Sequence, residues 1–90
     1  MLAYSLGNRS ACLVRMKMYE EAIDDMNLAL SLNYPEEAEH KLYERLGHTY
    51  MALHQFDKAK EAFDTYYQLT SETKKFEQFM SKINEAKNKQ

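Results

Sequence analysis

Apolar side chains recur along this chain at intervals of three and four residues, the spacing of a helix that buries one face. Five such stripes can be traced, and the breaks between them are only a few residues long. The chain is therefore predicted to be all-α, with five helices. The stripes are Leu2, Leu6, Cys12, Leu13 and Met16; Tyr19, Ala22, Ile23, Met26, Ala29 and Leu30; Leu42, Tyr43, Leu46, Tyr50 and Leu53; Phe56, Ala59, Ala62, Phe63, Tyr66 and Leu69; and Phe76, Phe79, Met80 and Ile83.

The predicted helix boundaries have local chemical reasons. Asn33 and Pro35 should end the second helix, because asparagine tolerates left-handed backbone and proline cannot continue a helix. Glu36 and Glu37 then suit the positive N-terminal end of the third helix. Residues 70–73 offer hydroxyl groups as N-caps for the fifth helix.

Composition narrows the class of protein. Ninety residues suffice for one small domain. With 44% hydrophobic residues, two glycines and one proline, the chain is too apolar for a disordered segment and too poor in turn formers for a many-stranded β protein. The net charge of −2 argues against nucleic-acid binding, which normally requires a strong basic excess.

The sequence also carries no targeting or membrane signal. No apolar run approaches the roughly 20 residues of a membrane-spanning helix, and the first residues lack the regions of a signal peptide. Cys12 is the only cysteine, which excludes an internal disulfide and fits a reducing compartment. We expect a soluble protein of the cytoplasm, with the nucleus as the alternative, that binds neither membrane nor nucleic acid.

The sequence contains an internal repeat. When Ala22 is aligned with Ala59, an offset of 37 residues (59 − 22), residues of related character coincide through both helix pairs. Two small residues that coincide, Ser10 and Gly47, should lie where helix axes cross closely. The other coinciding pairs are Leu13 with Tyr50, Tyr19 with Phe56, Met26 with Phe63, and Leu32 with Leu69.

The second copy resembles the tetratricopeptide repeat. The likeness is carried by Tyr43, Leu46, Gly47 and Tyr50, which match its aromatic-Leu-Gly-Tyr positions, and by Ala59 and Phe63, which match its Ala-x3-Phe. The first copy is looser, with Ser10 and Met26 in place of the glycine and the aromatic residue. The resemblance implies two helical-hairpin repeats, over residues 1–34 and 35–70, and a solvating or capping helix over residues 71–90.

Two repeats are fewer than the three or so that such arrays normally need for stability. We therefore expect a fragment of a longer protein, or a protomer that completes its array with a partner. No cap precedes the first helix. If that helix exposes Leu2, Leu6 and Leu13, the resulting apolar patch favours homodimerisation.

In the family that the chain resembles, the first helix of each pair lines a concave groove that binds extended peptides. Helical spacing places two sets of residues on this face. They are Tyr4, Asn8, Ala11 and Arg15 in the first helix, and Lys41, Glu44, Arg45 and His48 in the third. Asn8, Lys41 and Arg45, with His48 and Arg15 beside them, are the predicted peptide-binding residues.

The string Asn-Arg-Ser-Ala at residues 8–11, followed by Lys41 and Arg45 four apart, resembles the carboxylate-clamp subgroup of the family. That subgroup grips the free C-terminus of cytosolic heat-shock chaperones ending in Glu-Glu-Val-Asp. The likeness implies that an amide, an ammonium and a guanidinium group bind the terminal carboxylate. The subgroup's first repeat has no counterpart, so at most three of its five clamp positions are present and binding should be weak.

Other interpretations of these residues remain open. Asn8 could brace a neighbouring helix, and Lys41 and Arg45 could be solvated or paired with Glu37 and Glu44. The groove could also take a different ligand. In these cases the repeats would be a structural scaffold or a groove for a peptide of other chemistry.

A narrower resemblance is to the repeat region of SET-and-MYND-domain lysine methyltransferases. It covers about residues 3–60 and is carried by residues 8–11, Tyr19, Leu30, Leu32, Tyr34, Pro35 and residues 41–45. It implies a parent enzyme that uses S-adenosylmethionine and zinc, neither of which these ninety residues are expected to bind. In such a parent, the repeats could pack against and position the catalytic domain.

No catalytic residue, cofactor site or metal site is predicted in this chain. His40, Glu44 and His48 are four apart, but each step of four drifts about 40° around a helix and no further strong ligand is near in sequence. Cys12 has no Cys-x-x-Cys partner and is expected to be a small buried apolar residue. The chain is therefore expected not to be an enzyme.

Overall fold

The computed structural model of the protein describes residues 2–89, and within them it contains helices and turns but no strand. The predicted position of the Leu2 side chain on the first stripe lies outside the described side chains. The all-α prediction is confirmed. The helices are α1 (Leu2–Arg15), α2 (Tyr19–Ser31), α3 (Glu36–Ala52), α4 (Phe56–Thr70) and α5 (Thr73–Asn88).

The helices pack as two hairpins followed by a fifth helix. α1 packs on α2, α3 packs on α4, α2 also packs on α3 and so joins the two hairpins, and α5 lies against α4. Two apolar clusters hold this stack together. The first runs from the first hairpin onto the second and contains Leu6, Leu13, Ala22, Ile23, Met26, Ala29, Leu42, Leu46 and Ala62; the second joins the second hairpin to α5 and contains Phe56, Ala59, Phe63, Tyr66, Phe79 and Ile83.

The turn inside each hairpin has the same backbone geometry. Lys17 and His54, which are 37 residues apart, both have left-handed backbone, with φ of 62° and 59°. The N–H of the residue that follows each one donates to a carbonyl five residues earlier, that of Leu13 at 2.8 Å and that of Tyr50 at 2.9 Å. This is the Schellman ending of a helix, here without its usual glycine. The repeat predicted from side chains therefore extends to the backbone.

The ends of α2 and α4 also use left-handed residues. Asn33 has a φ of 60°, as its residue type predicts, and α3 begins after Pro35. The N-cap prediction for α5 is wrong in detail, because Thr73 is already the first helical residue and no side chain caps this end. Instead, Ser71 closes α4 with a φ of 57°, and the Thr70 hydroxyl accepts a hydrogen bond from the N–H of Glu72.

The small residues lie where the helices approach most closely. A Cβ atom at Gly47 would lie 2.4 Å from the ring of Phe63, far inside van der Waals contact. The corresponding pair in the first hairpin is Ser10 and Met26, and both side chains are fully buried. A flexible methionine leaves room for the serine, whereas the phenylalanine requires glycine.

Two expectations about α1 are wrong. Cys12 is exposed and Met16 is 61% exposed, so neither belongs to the buried stripe. The position of Cys12 corresponds to Thr49 of α3, which is buried because the first hairpin packs on that side of α3. Nothing in the described part of the chain covers this side of α1. Conversely, Leu6 and Leu13 are buried in the first apolar cluster, so they do not form the apolar dimerisation patch.

α5 is in register with the first helices of the hairpins. It starts 37 residues after α3 starts, at Thr73 against Glu36 (73 − 36). Its buried residues, Phe79 and Ile83, correspond to the buried Leu42 and Leu46 of α3 by the same offset. α5 therefore occupies the place that the first helix of a third repeat would take.

Candidate functional site

The predicted groove residues of α1 lie on one face of that helix and are accessible. Tyr4, Asn8 and Arg15 are exposed, and Ala11 between them is half-buried. Asn8 and Arg15 are seven residues apart, about two helical turns or roughly 10 Å along the axis. Tyr4 packs against Tyr34 of the loop between the hairpins, with ring centroids 5.3 Å apart. The α1 face thus has an amide at its middle, a cation at one end and an aromatic pair at the other.

Arg45 connects α3 to α1 directly beside Asn8. Its Nη1 donates to the carbonyl oxygen of Gly7 at 3.0 Å and to Oγ of Ser10 at 3.2 Å. Ser10 is itself fixed, because its buried hydroxyl donates to the same Gly7 carbonyl at 2.6 Å. Among the hydrogen bonds formed within residues 2–89, Arg45 uses only Nη1, which leaves Nε and Nη2 as donors. The guanidinium is thus half-buried, held in one place and partly free to bind.

Lys41 is exposed one turn before Arg45 on α3. The ion pairs found between described residues are Arg9–Asp25, Lys75–Glu72 and Lys87–Asp57. Neither Lys41 nor Arg45 is therefore paired with Glu37 or Glu44 in this structure. The two cations share a face with the amide of Asn8 close by in the fold.

Arg9 has a structural role that the sequence did not reveal. Its guanidinium makes two parallel hydrogen bonds, both 2.7 Å, to the carboxylate of Asp25 on α2. Asp25 is only 6% exposed, and the hydrogen bond from Arg9 lowers its pKa in spite of the opposing effect of burial. The signal was present, since Asp25 stands at helical spacing among Ala22, Met26 and Ala29, where a charge requires a partner.

His48 lies at the junction of three helices. Its ring makes edge contacts, at centroid distances of 5.2 Å, with Phe63 of α4 and with Phe79 of α5. Partial burial lowers the pKa of His48; the charge of Glu44 opposes this shift, and the charge of Lys82 adds to it. His48 is therefore neutral near pH 7 and packs against the aromatic cluster, with part of its ring exposed to the groove.

A second concave surface lies on the outer side of the first hairpin. This cleft of about 340 Å³ is lined by Arg9, Leu13, Glu21, Asp24 and Asp25. Shifted by 37 residues, these positions become Leu46, Tyr50, Lys58, Glu61 and Ala62, which line a depression beside Asn27 of α2. In the second hairpin this surface faces α2. The corresponding surface of the first hairpin is polar and mostly acidic.

Within residues 2–89, no group of three or more His, Cys, Asp or Glu side chains is arranged to hold a metal ion. None of the helices in this range is both long and apolar enough to cross a membrane.

The comparisons with known proteins bear on the repeat itself. The family model of the tetratricopeptide repeat matches residues 3–35 and residues 40–73, which cover the two hairpins except for the first residue of α1 and the first four residues of α3. No curated protein and no solved structure matched the chain. Repeats of this family typically act as non-catalytic modules that bind other proteins.

Proposed function

This chain belongs to the tetratricopeptide repeat family, and we propose that its concave face binds an extended peptide through the peptide's free C-terminal carboxylate. The observation that supports this function best is the position of Arg45. Its guanidinium is anchored to Gly7 and Ser10 of α1, next to Asn8, and retains two nitrogen donors. An anchored donor loses little conformational entropy when a ligand binds.

The three polar residues divide the task by their chemistry. Arg45 offers planar, paired N–H donors that fit both oxygens of a carboxylate. Asn8 offers an amide N–H, and Lys41 a mobile ammonium that neutralises charge. Arg15 and His48 border the same surface, where neutral His48 supplies a hydrogen bond or an aromatic edge. With only three clamp residues, affinity should be low.

An acidic chaperone tail ending in Glu-Glu-Val-Asp is the partner that we propose, because the Asn-Arg-Ser-Ala string and the Lys41–Arg45 pair resemble the carboxylate-clamp subgroup. The cytoplasm, where such chaperones work, is the compartment that this partner implies, with the nucleus as the alternative. The narrower resemblance adds a proposed parent, a SET-and-MYND-domain methyltransferase, in which this chain would be the recognition module rather than the catalyst.

The test is a titration followed by fluorescence anisotropy at low salt. A peptide labelled at its N-terminus and ending in Glu-Glu-Val-Asp is compared as free acid and as C-terminal amide. We expect saturable binding of the acid alone, weakened about fivefold in Lys41→Ala, a cost at the upper end for exposed charge pairs. Lys60→Ala removes another exposed lysine, from α4, and is the matched control. Equal binding of acid and amide, or no binding, would contradict the proposed function.

A scaffold role is the second candidate, and exposed leucines favour it. Leu28 and Leu32, which lie in the last turn of α2 and at its C-cap, are 48% and 40% exposed. Together they form an apolar strip on which a catalytic domain of the parent could pack. Calorimetry with that domain added as a separate chain tests this role. A scaffold predicts binding that Leu28→Gln abolishes and Lys41→Ala leaves unchanged.

A further inference from the structure

Because α5 is in register with α1 and α3, one of its residues corresponds to the groove residues Asn8 and Arg45. By the 37-residue offset, Asn8 of α1 corresponds to Arg45 of α3, and Arg45 corresponds to Lys82 of α5. The correspondence is structural as well, because Phe79 and Ile83 are buried as Leu42 and Leu46 are. Lys82 thus stands in the same place relative to the second hairpin as Arg45 does relative to the first.

The contacts of α5 fix which way Lys82 faces. Phe79 marks the buried side, since its ring stacks on Phe63 at 4.2 Å and meets His48 edge-on. Lys87 lies about 80° to one side of Phe79 around the helix and is 3.7 Å from Asp57, at the start of α4. Lys82 lies about 60° to the other side, away from Asp57, which is the side that Arg45 occupies on α3 relative to the buried Leu42.

The surroundings of Lys82 agree with this orientation. It is exposed, and no ion pair between described residues includes it. Its charge also helps to lower the pKa of His48, so the ammonium group lies near enough to act on that ring. Lys41, Arg45 and Lys82 therefore form a cationic row across two adjacent helices.

We infer that Lys82 is a further ligand-binding residue, which binds an acidic side chain three residues before the C-terminal residue of the peptide. This inference rests on the proposed function of the same groove. Packed helix axes are about 8–10 Å apart, and an extended peptide advances about 3.3 Å per residue. Three residues therefore carry the ligand from the Arg45 site on α3 to the Lys82 site on α5.

A double-mutant cycle tests the inference with free-acid peptides ending in Glu-Glu-Val-Asp, Gln-Glu-Val-Asp or Glu-Gln-Val-Asp. For the unmodified chain, we expect the first glutamine substitution to weaken binding about two- to fivefold, as exposed ion pairs do. In Lys82→Gln, that same substitution should have no further effect. The coupling should also disappear at 1 M salt, where charges are screened within about 3 Å.

Matched controls isolate the position of the charge. Lys87→Gln removes the same charge from α5 on the flank near Asp57, and it should leave the response to the first glutamine substitution intact. Free-acid-dependent binding without coupling between Lys82 and that glutamate would overturn the inference and leave the proposed function standing. Coupling of equal size to the second glutamate, or to Lys87, would overturn the stated register. Absence of any binding would overturn both proposals.

Discussion

Gly47 and Phe63 are complementary in shape: a Cβ on Gly47 would lie 2.4 Å from the phenyl ring, and Phe63 is fully buried. We expect Gly47→Ala to destabilise the fold by about 1–3 kcal/mol, the usual cost of overpacking, despite the better helix propensity of alanine. Urea unfolding followed by circular dichroism measures this change.

The first hairpin supplies both a control and a rescue for this variant. Gly7→Ala should cost less, because its Cβ would meet only the half-buried side chain of Tyr34, at 2.9 Å. Combining Gly47→Ser with Phe63→Met recreates the natural Ser10–Met26 pair and should recover part of the lost stability. If Gly47→Ala were as stable as the unmodified chain, close packing would not be the reason for glycine.

The Arg9–Asp25 pair should make the stability of the fold depend on pH in the acidic range. Arg9 lowers the pKa of Asp25 below its ordinary value of 3.8, so the charged carboxylate favours the folded state. This contribution is complete well above pH 3.8 and is lost as the pH falls through the lower, folded-state pKa. Asp25→Asn should therefore lower the Tm at pH 7, and the difference should shrink as the pH falls below 3.8.

Thermal melts at pH 7, 5 and 3 test this dependence, with Asp24→Asn as the control. Asp24 is exposed, lies next to Asp25 on α2 and forms no ion pair with a described residue. Its substitution should shift the Tm little at any of the three pH values. A constant Tm difference between Asp25→Asn and the unmodified chain across this range would exclude a contribution from the charged pair.

The protonation of His48 provides a test of the Lys82 position that needs no ligand. Burial lowers the pKa of His48, so the folded state favours the neutral ring. The stability that comes from the neutral ring is full above pH 6.5 and is lost as the pH falls through the folded-state pKa. Lys82→Gln should raise the His48 pKa and Glu44→Gln should lower it, because each variant removes one of the charges that act on the ring.

Proton NMR of the His48 ring, recorded as a function of pH, measures both shifts directly. Lys87→Gln is the control, because its ammonium lies near Asp57 on the other flank of α5. If Lys82→Gln left the titration of His48 unchanged, Lys82 would not face the groove.

Arg45 should both bind the peptide and stabilise the fold, whereas Lys41 should only bind the peptide. Because Nη1 of Arg45 joins α3 to Gly7 and Ser10, Arg45→Ala should cost about 1 kcal/mol of stability, the net value of a typical hydrogen bond. Lys41→Ala should cost almost nothing. Unfolding curves of the two variants, with Arg15→Ala as a control, decide the point.

The fold was predictable because it depends on the periodic spacing of apolar residues and on the internal repeat. The spacing of apolar residues predicted five helices, and the coincidence of Ser10 with Gly47 predicted two equivalent hairpins. The errors about Cys12 and Met16 have one origin, since a period shows that a helix buries a face but not how far its neighbours extend over that face.

The candidate site was less predictable because its geometry depends on contacts between helices. The sequence placed Asn8, Lys41 and Arg45 on the groove-facing helices, but not the anchoring of Arg45 to α1. The paired hydrogen bonds between Arg9 and Asp25 likewise join residues that are 16 positions apart, so no pattern of local spacing predicts them. The role of Lys82 became visible only once α5 was known to start in register with α3.

The acidic cleft on the outer side of the first hairpin has a consequence for the colloidal behaviour of the protein. Repeat arrays can polymerise when the end of one copy stacks on the beginning of the next, because such head-to-tail contacts build an open filament instead of a closed ring. Stacking on this cleft would strip water from the Arg9–Asp25 pair and from the carboxylates of Glu21 and Asp24. Since removing water from charges costs more than a loose contact returns, stacking of a second copy on this cleft would be unfavourable.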